Sequence, residues 1–402
     1  MKNNHTPEIR FPGFTGDWEQ RKLGDLVIDV SRPLKMVDDD IYQLVTVKRR
    51  NGGIVSRGIY KGSEVLVKSQ FIIKTGDYLI SKRQVVHGAN GIVPEYLDGS
   101  IVSNEYLVLH GTKDLNIEFF SLISELPSMY KNYFLSSYGI DIEKLVFNVP
   151  DWKKRRISIP SIPEQDQITS FIKVMNNAIA LQQQELITLE QTKQGFLQKM
   201  FPTEEESVPK VRFPGFTGDW EQCRLKDLGE IKTGSTPSTV DADNYSGDGM
   251  IWVTPSDIVN RVTTVTAKKL SKKGQLKARI VEPGTILVTS IASIGKNTMV
   301  EEFASFNQQI NSLTPSNEND SYFLLTQSDF WSRKMKNIAA SGTMQIVNKN
   351  DFSNISVLVP KKEEQIKIGN FFKQFDNSIA LQHLELNALK ETKKAFLQKM
   401  FA

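Results

Sequence analysis

Two stretches of this chain gather positive charge with no acid among them. Lys48, Arg49, Arg50, Arg57 and Lys61 lie between Ile41 and Ser63. Arg261, Lys268, Lys269, Lys272, Lys273, Lys277 and Arg279 lie between Ile258 and Val281. The whole chain carries only +4, so this charge is local, as at a polyanion-binding face. Small polar loops accompany the stretches: Asn51-Gly52-Gly53, and Thr233-Gly234-Ser235-Thr236-Pro237-Ser238. Such loops bring backbone N–H groups and hydroxyls close to phosphates. Long side chains nearby could read base edges, arginine or lysine on guanine and glutamine or asparagine on adenine. The candidates are Arg49, Arg50, Lys82, Arg83 and Gln84, then Gln308, Gln309, Asn311 and Gln345. Any single lysine here could be an ordinary solvated charge, and Gln308 and Gln309 could instead bond neighbouring backbone. The pair of acid-free stretches carries the reading.

Catalytic patterns are missing. His5, His87, His110 and His383 are scattered, without metal-ligand spacing. Ser293-Ile294-Gly295-Lys296 carries only the tail of a phosphate-binding loop, because position 290 is Ser290. The chain has no Asn/Asp-Pro-Pro-aromatic tetrapeptide and no Gly-rich cofactor fingerprint. Asp141 with Glu143-Lys144 is too common a cluster to argue for a nuclease. The lone Cys223 excludes a disulfide framework and a cysteine-based zinc site. The expectation is a chain with no catalysis, metal or cofactor of its own. With 39% hydrophobic and 24% charged residues, the 402-residue chain reads as folded. No apolar run reaches the roughly 18–20 residues that span a bilayer, and Met1–Phe11 has no apolar core. The default expectation is therefore a cytoplasmic protein.

The chain is written twice. Arg10–Gln20 reads RFPGFTGDWEQ, and so does Arg212–Gln222. Ile179–Phe201 and Ile379–Phe401 share IALQ and end on FLQKMF. Between these frames, residues 27–150 and 223–350 share little. Gly76–Ser81 faintly resembles Gly284–Thr289, and Val102–Tyr106 resembles Phe306–Ile310. Duplication with drift would blur frame and middle alike, so the middles read as kept different. Domains are expected at 1–160 and 212–360, spacer helices at 161–201 and 361–402, and an acidic linker at 202–211.

The middles read as mixed α/β. Strands are expected at Tyr42–Val47, Phe71–Ile73, Tyr78–Ile80, Ile101–Leu109, Met250–Thr254, Thr285–Ile291 and Ile355–Val359. Helices are expected at Phe119–Phe134 and Tyr322–Ile338. The closing segments carry a heptad seam. In the first it runs Ile168, Ile172, Met175, Ile179, Gln182, Leu186, Leu189, Lys193, Phe196, Met200. In the second it runs Ile368, Phe372, Phe375, Ile379, Gln382, Leu386, Leu389, Lys393, Phe396, Met400. Two helices packed separately on their own domains would be the plainer alternative. A helix from Glu164 to Phe201 is about 57 Å long, whereas the ten-residue linker reaches at most ~35 Å. The reach favours an antiparallel pair, with the end of the chain near its beginning.

These motifs together resemble the specificity subunit of type I restriction–modification enzymes. They are the twin RFPGFTGDWEQ openings, Gly229–Pro237 leading to Ile251–Thr254, and Phe306–Asn311. Ser341–Gln345, the Pro-x-x-x-Glu-Gln helix starts and the FLQKMF ends complete the set. The first half departs from the TGSTP and NQQIN patterns. The resemblance implies an α+β fold. Two mixed α/β target recognition domains would be separated by a two-helix antiparallel coiled coil, in a pseudo-twofold internal repeat. Each domain would read one part of a bipartite double-stranded DNA target. Modification subunits bringing S-adenosylmethionine, and restriction subunits using ATP and Mg2+, would dock on the shared frame. The competing reading is a coiled-coil scaffold whose two heads bind proteins.

Overall fold

The computed structural model describes residues 7–203, 205–341 and 345–401. His5, Glu204, Gly342, Thr343 and Met344 lie outside them. The chain divides into two compact units, Met1–Ala180 with Ala388–Ala402, and Leu181–Asn387.

In the first unit the opening strand Glu19–Lys22 pairs antiparallel with Arg156–Ile159. A four-stranded sheet follows in the order Val27–Asp29, Tyr106–Gly111, Tyr78–Ser81, Asn90–Ile92. A five-stranded sheet orders Pro33–Lys35, Ser69–Ile72, Ile101–Ser103, Ile41–Val47, Ile54–Lys61. The second unit repeats the first two features. Glu221–Arg224 pairs with Ser356–Val359. The order Gly229–Thr233, Ile310–Pro315, Ile286–Thr289, Asn297–Met299 matches the first unit's four-stranded sheet. The faint sequence matches thus mark equivalent strands. Each central strand enters through a left-handed glycine, Gly76 at φ 85° and Gly284 at φ 85°.

Several expected elements are shorter or divided. The run Ile101–Leu109 is two strands, because Asn104 and Glu105 turn the chain between Ser103 and Tyr106. Thr285–Ile291 contracts to Ile286–Thr289. Phe119–Phe134 is two helices, Ile117–Ser124 and Pro127–Leu135, since Pro127 can start a helix but not continue one. Its counterpart lacks that proline and runs unbroken over Ser321–Ser341.

The duplicated motifs are the joints of each unit. Arg10 grips Glu164 through two bonds of 2.7 Å, and Glu164 is 1% exposed. Arg212 grips Glu364 at 2.6 and 2.7 Å. The neighbouring Gln165 accepts from Asn116 N at 2.9 Å and donates to Pro160 O at 2.9 Å. Gln365 accepts from Asp320 N at 3.0 Å and donates to Pro360 O at 2.9 Å. Each opening tryptophan meets the last residue of a closing segment. Trp18 lies 5.6 Å from Phe401, and Trp220 lies 5.8 Å from Phe201, between ring centroids.

The closing helices are Ile162–Met200 and Lys362–Met400. No residue of the expected seam is exposed. In the first unit the start of one helix meets the end of the other, with Phe171 4.9 Å from Phe396. In the second unit Phe196 lies 5.1 Å from Phe371. Both stretches therefore pack antiparallel. Gln182 donates to Gln382 and, at 2.9 Å, to Glu385, so the polar seam residues satisfy each other. Glu8 N donates to Lys399 O at 3.0 Å, bringing the chain's start to its end. Val211 N donates to Lys199 O at 2.9 Å in the corresponding place.

Candidate nucleic-acid interface

The first unit assembles its basic residues on a hairpin. Ile41–Val47 and Ile54–Lys61 are antiparallel, and their connection puts Arg50 and Asn51 in the left-handed region, at φ 58° and 54°. That conformation is costly for non-glycine residues and needs support. Support comes from Arg50 N donating to His87 O at 2.7 Å and Asn51 N to Gly88 O at 2.9 Å. The hairpin tip is thereby fastened to the turn holding Lys82, Arg83 and Gln84. Arg49 donates to Gln84 at 2.7 Å and to Glu143 at 2.7 Å. Lys82 holds Asn104 O at 2.7 Å, and Arg83 pairs with Glu105 at 2.9 Å. The stretch that is acid-free in sequence is thus partly neutralised in space. Both ion pairs are half-exposed and therefore weak. Lys48 and Arg50 are exposed at the tip, and Arg57 lies apart on the edge strand.

The second unit builds its face from three packed turns. Gly234 N donates to Ile310 O at 3.0 Å, and Ser235 N donates to Phe306 O at 2.8 Å. A Cβ on Gly234 would stand 2.0 Å from Asn307 O, so only glycine permits this approach. Thr236 then donates to the exposed Gln308. Ser235 Oγ accepts from Arg279 N at 2.8 Å. The result is an open concavity of about 860 Å³ lined by Lys232, Thr233, Gly234, Arg279, Ile280 and Lys349. Lys268 lies over the Tyr245 ring at 5.4 Å, and with Lys269 it lines a neighbouring hollow of about 470 Å³. Lys272 and Gln345 are exposed.

Other expected residues serve elsewhere. Asn311 is 1% exposed. It accepts from Thr233 at 2.7 Å and donates to Ser290 at 2.8 Å, so it positions the loop and faces no base. Gln309 is engaged in its own turn, through Asn307 and Ser290 N. Lys273 meets Asp241 and Asp243 at 3.1 and 3.0 Å. Bonds to Asp243 and then Asp241 raise its pKa, and Lys277 joins Lys273 in lowering that of Asp241. Arg261, counted in the basic stretch, is a strut that holds Asp329 at 2.7 and 2.8 Å. Conversely, Lys232 and Lys349 line the concavity although neither was singled out in the sequence. Lys349 sits outside any basic run, on the short helix Lys349–Ser353.

Among the described residues no cluster of His, Cys, Asp or Glu could hold a metal. No described helix is long and apolar enough to cross a membrane.

The sequence is similar to curated specificity subunits of type I restriction enzymes. It is 24% identical to the HindI subunit of Haemophilus influenzae, over 92% of this chain and 96% of that one. It is 21% identical to the MjaVIII subunit of Methanocaldococcus jannaschii, over 95% and 91%. The fold is similar to a solved type I S subunit from M. genitalium, with TM-score 0.65, 13% identity, and 99% of both chains covered. A second solved chain, from a study of type I complex assembly, matches at TM-score 0.55 and 19% identity, over 96% of this chain and 97% of that one. The family described as type I restriction modification DNA specificity domain matches twice, at residues 15–191 and 217–391. Two matches of that extent, one on each half of the repeat, place the chain in the type I restriction–modification specificity family.

Proposed function

We propose that this chain selects the DNA sequence acted on by a type I restriction–modification complex, each unit reading one part of a bipartite double-stranded target. The observation that carries this is the contrast between frame and face. Arg10–Glu164 and Arg212–Glu364 are the same joint, whereas the two basic faces share neither residues nor loop shape. In the first unit Arg49 and Gln84 are oriented together, and with Arg50 they suit guanine and adenine edges. In the second, Ser235, Lys232, Arg279 and Lys349 suit phosphates, with Thr233 holding the loop through Asn311, and Thr236 with Gln308 suits a base.

The chain itself performs no chemistry. Two modification subunits would bring S-adenosylmethionine and methylate adenine, and restriction subunits would bring ATP and Mg2+. Leu181, Ile187, Leu381 and Leu384 project from the closing helices of the second unit, 46–68% exposed. They offer apolar docking ground for a partner helix.

Mapping methylated adenines in cells with and without the chain tests the proposal. A split motif that disappears with the chain is expected. Replacing residues 27–150 by another middle should change one part of that motif only. A change in both parts, or methylation indifferent to the chain, would sink the reading.

A further inference from the structure

The two units finish the ends of the closing helices differently. In the second unit Phe330 covers Phe201, with ring centroids 5.2 Å apart. Lys193 pairs with Asp376, which also accepts from the Tyr322 hydroxyl at 2.9 Å and lies 3.7 Å from Arg261. Arg261 also holds Asp329, the residue before Phe330. A ring and a carboxylate thus fill this corner from within.

In the first unit the repeat brings Phe401 and Lys393 to the equivalent positions. Phe119 lies 5.9 Å from Phe401, as Phe323 lies 5.5 Å from Phe201. Yet Leu126 stands where the second unit has Phe330, and Asn176 where it has Asp376. Among the described residues Lys393 has no ion-pair partner within 4 Å; Glu125 acts on it only from beyond that distance. A cavity of about 630 Å³ remains, lined by Leu126, Asn176, Lys390, Lys393, Leu397 and Phe401 among others, with no acid in its wall.

We propose that this cavity receives a segment of a partner protein that presents an aromatic ring and a carboxylate. The ring would lie on Phe401 and Leu126, and the carboxylate on Lys393. The second unit supplies the template, since its own Phe330 and Asp376 have that chemistry. The wall supplies the complementary charge through Lys390 and Lys393, while Lys394 beside them pairs with Glu391 at 3.5 Å. The inference rests on the reading that partner subunits assemble on this chain, and makes the two units unequal as docking sites.

The test uses 3-(4-fluorophenyl)propanoate, followed by 19F NMR, with the full chain and with the chain assembled with modification subunits. The probe should bind the free chain and be displaced on assembly. Leu126→Phe with Asn176→Asp, which copies the second unit's filling, should abolish probe binding. Lys393→Gln should weaken it about tenfold or more. Both variants should unfold at the wild-type temperature within a few degrees and assemble about tenfold more weakly. A probe that does not bind, that binds the double variant unchanged, or that stays bound in the assembled complex overturns the inference. Failure of the wild-type chain to assemble at all would instead overturn the wider functional reading.

Discussion

Replacing Arg212 by alanine should destabilise the second unit far more than a surface substitution does. The pair with Glu364 has two charge-assisted bonds of 2.6 and 2.7 Å. Glu364 is 1% exposed and Arg212 15%. Without Arg212 the carboxylate stays buried and unpaired, which costs about 3–5 kcal/mol. In a unit spanning Leu181–Asn387, 1 kcal/mol moves the midpoint by roughly 2–4 °C, so a fall of about 6–20 °C is expected. Added salt should change that fall little, because the pair is shielded from solvent. The assay is thermal unfolding followed by calorimetry, run as a double-mutant cycle with Glu364→Leu. Arg212→Ala/Glu364→Leu should recover most of the loss, since no buried charge is left. A fall below ~2 °C for Arg212→Ala, or a double variant as unstable as the sum of the single ones, would refute the reasoning.

Asn311→Ala should cost about 1–3 kcal/mol in chemical denaturation by leaving Thr233 and Ser290 without their partner, while the salt dependence of DNA binding is unchanged. Lys272→Ala should lower the slope of log K against log salt by ~1 for every DNA sequence, and Lys273→Ala, already engaged by Asp241 and Asp243, should lower it less. Equal slope changes in binding titrations would contradict the structure. Gln182→Leu with Gln382→Leu should raise the melting temperature seen by circular dichroism, because an apolar seam outperforms a polar pair; a lower one would show that the glutamines stabilise the helices. Arg32→Ala should destabilise the first unit by about 3 kcal/mol in urea unfolding, because Asp77 is 0% exposed and keeps only His110 at 2.8 Å and the Lys74 N–H at 2.8 Å; an unchanged midpoint would contradict the assigned pairing.

The frame was legible in the sequence because its signals are either local or repeated. A heptad shows on one helix, and eleven identical residues show without any fold. Pro160-x-x-x-Glu164-Gln165 could be seen, but not that Glu164 awaits Arg10 across 154 positions. The reading faces were less legible for the same reason. A basic stretch counts charges along the chain, whereas Arg49 meets Glu143, and Lys273 meets Asp241, only after folding. Asn311 looked like a reader because asparagine suits adenine. Its strand pairing with Thr233, set by register, turns the side chain inward instead. Lys349 was invisible because a lone lysine carries no signal until a turn delivers it beside Arg279.

One pair of equivalent strands explains why the middles differ as wholes. After Gly76 the first unit buries Asp77, held by Arg32 at 2.7 Å and by His110 at 2.8 Å. After Gly284 the second buries Thr285, bonded to Thr314 at 2.9 Å. Strand order and glycine geometry are the same, but one site needs the Arg32 cation and the other only a hydroxyl. A carboxylate placed opposite Thr314 would be a buried charge without a counterion, and a threonine at position 77 would leave Arg32 without the carboxylate it holds. Neither strand can therefore be exchanged alone. Each middle is a set of mutually dependent partners, whereas one equivalent pair of joints to the frame, Gln165 on Asn116 N and Gln365 on Asp320 N, uses backbone N–H groups that any residue but proline supplies. Backbone joints tolerate a changed middle and internal ion pairs do not. A duplicated frame of this kind can thus carry unrelated reading faces, provided that each face arrives complete.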